Sequence, residues 1–130
     1  MPNLVLPDSS FYITATRTGR DPLVELGAKA DEYEIATCGM VQIEVLRGRS
    51  NPHVLRRFRD TFAVMIYIAT TNATWERAIQ LAWALDRQGI VIPATDLVIA
   101  ASALQVDAAV LTHDTHFHQI PGLRVLDRLT

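Results

Sequence analysis

The chain has a single cysteine, Cys38, in 130 residues, so it lacks a second thiol for an intramolecular disulfide and has too few for a thiolate metal cluster. That scarcity fits a reducing compartment, and the simplest role for Cys38 is that of a small buried hydrophobe. Long apolar runs are also missing, since each is interrupted well before the roughly 18 residues a membrane helix needs. Met1-Pro2-Asn3 lacks the basic start and apolar continuation of a signal peptide, so the chain is read as cytoplasmic. There are no repeats, low-complexity tracts or obvious linkers. With 49% hydrophobic residues, a chain of 130 suits one compact domain, residues 1–130, and is too short for two. Excess positive charge is absent as well: a net charge of -2 supplies no global electrostatic reason to bind nucleic acid.

The distribution of the basic residues says more than their sum. Eleven of the twelve are arginine, and five of them, Arg47, Arg49, Arg56, Arg57 and Arg59, fall in one stretch without an intervening acid. The planar guanidinium fork matches phosphate oxygens, so contact between at least one of these arginines and a polyanion is expected. The alternatives are a solvated basic face or a surface for an acidic protein partner.

Short apolar runs alternate with helical patterns along the chain. Leu4–Leu6 reads as a buried strand ending at Pro7, Glu34–Thr37 as a second, Ala108–Leu111 as a later one and Leu123–Leu126 as the last. The stretch from Phe62 to Ile68, rich in Val, Ile and Tyr, also reads as a strand. Helices are predicted from Asp21-Pro22, over Gly39–Leu46 with Gly48 as a left-handed stop, and after Asn51-Pro52. A helix capped by Asn72 or Thr74 carries Trp75, Ala78, Ile79, Ala82, Trp83 and Leu85 on its core side and stops at Gly89. Another, capped by Thr95 or Asp96 and running to Val106, is apolar nearly all round and therefore buried. Such alternation implies βαβ units and a parallel sheet covered on both faces. Ligands of these sheets bind beyond the carboxyl ends of the strands.

Four acids, Asp8, Glu44, Asp96 and Asp114, each stand where an apolar segment meets a polar turn, and two of them directly follow predicted strands. Carboxylates gathered by folding repel one another unless a positive charge sits among them. A hard divalent cation such as Mg2+ prefers oxygen ligands and suits this set. Ser9 and Thr112 are placed to orient the carboxylates by hydrogen bonds. Taken singly, three of the acids have a plainer use: Asp8 and Asp96 as helix caps, Glu44 as the ion-pair partner of Arg47. His113, His116 and His118 surround Asp114, but in a short turn they should splay, which favours solvent-exposed or RNA-contacting histidines over a zinc site. Trp75 and Trp83 read as core or dimer packing, and Phe11, Tyr12 and Ile13 as a helix face after the first carboxylate turn.

Four segments, Leu6-Pro7-Asp8-Ser9-Ser10, Ile43-Glu44-Val45-Leu46-Arg47-Gly48, Thr95-Asp96 through Leu104 and Leu111-Thr112-His113-Asp114-Thr115-His116-Phe117, appear in an order and spacing that resemble the PIN domains. Within that family the resemblance is to the VapC-like toxins of bacterial toxin-antitoxin pairs. It implies an α/β fold, an α/β/α sandwich with a central parallel sheet, and Mg2+- or Mn2+-dependent endoribonuclease activity in a homodimer restrained by a cognate antitoxin. Carried over by position, Asp8, Glu44, Asp96 and Asp114 match the family's acids, and Thr112 a frequent hydroxyl beside the last. Asp8, Asp96 and Asp114 are then metal ligands, direct or through water, and Glu44 is a ligand or the activator of the attacking water. Asp107 stands in a turn where the family often has glycine, and aspartate tolerates left-handed geometry. Two other readings share the pattern: a PIN nuclease of RNA processing or DNA repair without an antitoxin, and a non-catalytic module whose carboxylates receive a basic segment of a partner.

Overall fold

The computed structural model describes residues 3–130. Strand β1 (Asn3–Pro7) leads into α1 (Ser9–Arg17) and α2 (Pro22–Gly27), then β2 (Tyr33–Cys38), α3 (Gly39–Leu46), α4 (Pro52–Ala63) and β3 (Ile66–Ile68). Helices α5 (Asn72–Arg87) and α6 (Ala94–Gln105) precede β4 (Ala109–Leu111), a 3-10 turn at Thr115–Gln119 and β5 (Val125–Leu126). The five strands form one sheet in the order β3-β2-β1-β4-β5, and every pairing is parallel. Helices flank this central sheet, which gives the α/β/α arrangement.

The first strand is the centre of the sheet and is apolar because both faces are covered: Val5 and Leu6 are buried. Pro7 lacks a donor but occupies the last position of the strand, where the loss of one ladder bond is tolerated. Helix α6 packs against the sheet with Leu97 through Ala103 buried, and its buried Ser102 hydroxyl donates back to Val98 O at 2.8 Å. On the other side of the core Tyr12 is fully buried, edge-on to Phe58 and Phe62 at centroid distances of 6.2 and 5.5 Å. Phe11 is buried as well, so this early aromatic pair belongs to the core.

Several expectations are corrected. Phe58 and Phe62 both face Tyr12 with their ring centroids 6.1 Å apart, a closeness that residues four apart reach in a helix but not in a strand, where they stand about 13 Å apart; α4 therefore runs through Ala63 and the strand shrinks to Ile66–Ile68. Thr71, rather than Asn72 or Thr74, caps α5, in a capping box with Thr74. The buried stripe of α5 is Thr74, Ala78, Leu81 and Leu85, one position round from Trp75, Ile79 and Trp83, which face outward. The helix carries two adjacent apolar stripes, and the one centred on small Ala78 lets it approach α6 closely; Thr74 Oγ1 also hydrogen-bonds Gln105 Oε1 across that contact. Pro93 precedes α6, leaving Asp96 in the first turn and not at the cap. Gly48 does not adopt the left-handed conformation, whereas Gly89 does, with φ +78°.

Asp107, in the turn from α6 to β4, has φ 53° and is the one non-glycine residue with positive φ among those described. Its carbonyl accepts from Arg124 Nη2 at 2.6 Å, which ties the turn to the segment before β5. Asp107→Gly is expected to match or exceed the native stability in urea denaturation, while Asp107→Val should lose about 1–2 kcal/mol, because a branched side chain crowds the carbonyl in this region.

Candidate active site

The register of the sheet builds the site. Pro7 pairs with Leu111, and Asp8 N–H extends the ladder by donating to Leu111 O at 3.0 Å, which sets Asp8 beside Thr112 at the carboxyl edge. Asp8 also caps α1, its Oδ1 accepting from Phe11 N at 3.2 Å. Two hydroxyls complete its surroundings: Ser10 donates to Oδ1 at 2.7 Å and Thr112 to Oδ2 at 2.9 Å. Each hydroxyl is itself oriented by a backbone amide of the loop after β4, Ser10 Oγ by His113 N–H at 3.1 Å and Thr112 Oγ1 by Asp114 N–H at 2.8 Å. Their single protons thus point at the Asp8 carboxyl.

The other acids arrive from three further elements. Glu44, half-buried on α3, accepts from Ser9 Oγ at 2.9 Å on its Oε1, so it is held toward α1 and forms no ion pair with Arg47. Asp96 enters from the first turn of α6 and Asp114 caps the 3-10 turn, accepting from His116 N at 2.9 Å. His116 Nδ1 lies 3.1 Å from Asp96 Oδ2 and 3.1 Å from Asp114 Oδ1, and ligand atoms of these three residues all fall within 4.8 Å of one another. Sequence reasoning grouped His116 with His113 and His118; the structure brings His116 alone among the carboxylates. Ser10 was missed too, although it follows Ser9 and Asp8 in the same capping turn.

Electrostatics follow from this crowding. Burial is the largest influence on Asp8 and pushes its pKa up to about 6, against the pull of Ser10, Thr112 and the Phe11 amide; Asp96 adds a smaller upward push. Asp96 is raised by burial and by the charges of Asp114 and Glu44, and is lowered by its bond to His116. Among the described residues no lysine or arginine pairs with any of the four acids. A cluster of buried and half-buried carboxylates with one imidazole and no lysine or arginine has the chemistry of a divalent-cation site.

Of the five arginines singled out from the sequence, Arg57 donates to Asp21 Oδ2 at 2.7 Å, and Arg49 lies over Phe58 at 5.6 Å from the ring centroid. Arg47 and Arg59 line one shallow groove with Tyr67, and Arg56 is exposed on α4. None of them forms an ion pair with Asp8, Glu44, Asp96 or Asp114.

An unfolded aspartate releases its proton near pH 3.8, whereas folded Asp8 holds it to about 6, so the native state binds more protons between these values and stability falls as pH rises through them. The full cost above pH 6 is roughly 3 kcal/mol. Asp8→Asn keeps acceptors for Phe11 N and Ser10 and removes the titration. In EDTA it is expected to be more stable than the native protein at neutral pH and to lose that advantage below pH 4, as read by urea denaturation across a pH series.

The family model described as PIN domain matches residues 5–123. Among solved structures, VapBC2 from Rickettsia felis, bound to a DNA fragment from its promoter, is similar with a TM-score of 0.78 at 21% identity over 95% of this chain and 97% of that one. VapBC from Salmonella typhimurium bound to DNA gives 0.78 at 18% identity, covering 97% and 98%. VapC20 from Mycobacterium tuberculosis, a sarcin-ricin loop cleaving toxin, gives 0.57 at 15%, covering 92% and 98%. No curated protein matches. At such identities these structures speak for the fold, and the family rests on the model that spans most of the sequence, including Asp8, Glu44, Asp96 and Asp114: the chain belongs to the PIN domain family.

Proposed function

We propose that the protein is a metal-dependent endoribonuclease, the toxin of a VapBC-like toxin-antitoxin pair, with residues 1–130 acting as one catalytic domain in the cytoplasm. The observation that carries this reading is the convergence of Asp8, Glu44, Asp96 and Asp114 at one sheet edge without a lysine or arginine among them. Similarity in fold to toxin-antitoxin structures, one of them an RNA-cleaving toxin, favours RNA and an antitoxin partner over a nuclease of RNA processing or DNA repair. No helix among the described residues is long and apolar enough to cross a membrane, and buried Cys38 is consistent with a reducing interior.

Asp8, Asp96 and Asp114 hold the ion, Mg2+ or Mn2+. When bound, the ion lowers the pKa of a water and stabilises charge on the phosphate under attack. Asp8 is fixed in direction by its capping bond and the two hydroxyls, so its oxygens present one geometry. Glu44 Oε1 is engaged by Ser9, which leaves Oε2 to accept the proton of the attacking water. His116 orients Asp96 and Asp114 against each other through Nδ1. A single-stranded or looped RNA presents the accessible phosphodiester this open edge requires.

A homodimer is part of the same reading. Trp75, Ile79 and Trp83 are 48, 60 and 64% exposed along one face of α5, a stripe too apolar for a solvated helix. Sedimentation analysis is expected to show a dimer that Ile79→Glu with Trp83→Glu converts to a folded monomer.

Purified protein is expected to cut a pool of structured RNAs with Mg2+ or Mn2+ and not in EDTA. Asp96→Asn should fall to background, and Thr112→Val, which removes one proton from Asp8, should slow cleavage roughly 10- to 100-fold. Equal cutting by the native protein and Asp96→Asn would mean a contaminating nuclease. A folded protein that cuts no RNA with either ion would sink the catalytic reading.

A further inference from the structure

A cavity of about 480 Å³ begins beside the carboxylates at Phe11 and His113 and extends toward Lys29, whose carbonyl accepts from Tyr33 N–H at the start of β2. It lies between α1, the segment around α2, and the residues that follow β5. Because β5 runs parallel to β4, Asp127, Arg128 and Leu129 emerge at the edge that also carries Thr112, His113 and Asp114. Phe11 and His113 form the wall shared with the carboxylate site. Phe11 N–H caps onto Asp8, and His113 is the residue between Thr112 and Asp114.

The wall is a prepared flat surface. The His113 backbone is anchored to Ser10 Oγ at 3.1 Å, and its exposed imidazole lies within 9° of parallel to the buried Phe11 ring, at a centroid distance of 6.3 Å. Opposite stand three cations. Arg20 is paired with Glu25 at 3.2 Å, but Lys29 reaches Glu32 only at 3.9 Å, and Arg128 forms no ion pair among the described residues. Asp127 is the one further acid of the lining. The cavity therefore offers two weakly committed cations beside an imidazole face, where the neighbouring cluster offers carboxylates.

A strand whose scissile phosphate sits at those carboxylates must continue beyond them. Its flanking phosphates are repelled by the acids and need cations close at hand. The volume lies in the range of small-ligand pockets. We infer that this cavity receives the RNA nucleotide next to the scissile phosphate, its base laid on His113 and its phosphate between Lys29 and Arg128. The inference rests on the nuclease reading and names the part of the surface that selects the sequence cut.

The test separates binding from cleavage. Asp96→Asn protein in EDTA is titrated into a pool of short fluorescein-labelled single-stranded RNAs and followed by anisotropy. Adding His113→Ala is expected to weaken binding about tenfold, as for loss of one stacked base, while His113→Phe should preserve it. Adding Lys29→Ser or Arg128→Ser should reduce the steepness of affinity against salt by roughly 0.7 per lost phosphate contact. Unchanged affinity and salt dependence in all these variants, with the native protein still cleaving, would overturn the assignment, hand the cavity to a peptide of a protein partner and leave the nuclease reading intact. Failure of every form to bind RNA overturns it as well. Variant effects as described, but no cleavage by the native protein, would support the cavity and remove the catalytic step alone.

Discussion

The parallel pairing of β1 with β4 is the constraint on which the site depends. One ladder places Asp8 and Thr112 side by side, and the backbone bond from Asp8 to Leu111 prevents either from slipping relative to the other. A slip of one residue would turn Asp8 away from Thr112 and separate Ser10 from the His113 amide that orients it. The loop after β4 then repeats the logic at side-chain level, since the amides of His113 and Asp114 orient the hydroxyls that orient the carboxyl. Backbone geometry is thereby converted into the direction of two protons.

The arrangement sets stability against function. Burying Asp8 beside other acids disfavours its charge, and the three hydrogen bonds it accepts offset only part of that cost. The residues around it are otherwise well packed, with Val5, Leu6, Val110 and Leu111 buried beneath the site. The unfavourable electrostatics are confined to one edge of a conventional core, as expected where a ligand is to supply the missing charge.

Much of this was legible in the sequence because the signals were local. Asp21-Pro22 and Asn51-Pro52 announce helix starts, and both serve as such, with Asp21 and Asn51 as caps. The four acids could be singled out because each stands where an apolar segment meets a polar turn. What escaped was set by tertiary packing. Either apolar stripe of α5 could have faced inward, and only the fit of Ala78 against α6 decided between them. Phe62 carries the same β propensity in a helix or a strand, and its partner Tyr12 is fifty residues away in sequence. Among three histidines in one turn, nothing local distinguishes His116, whose position depends on Asp96 arriving from another helix.

The hydrogen bond between Thr112 and Asp8 joins residues 104 positions apart. Its span has a consequence for timing during synthesis. The central strand is made long before its β4 neighbour and stays without it while the 104 positions between Asp8 and Thr112 are translated, and Asp96 and Asp114 likewise follow much later. Contacts of such long range form slowly and together. A nascent or prematurely ended chain therefore carries no partial version of the acidic site: the capacity for chemistry arrives in one step, with the closure of the sheet.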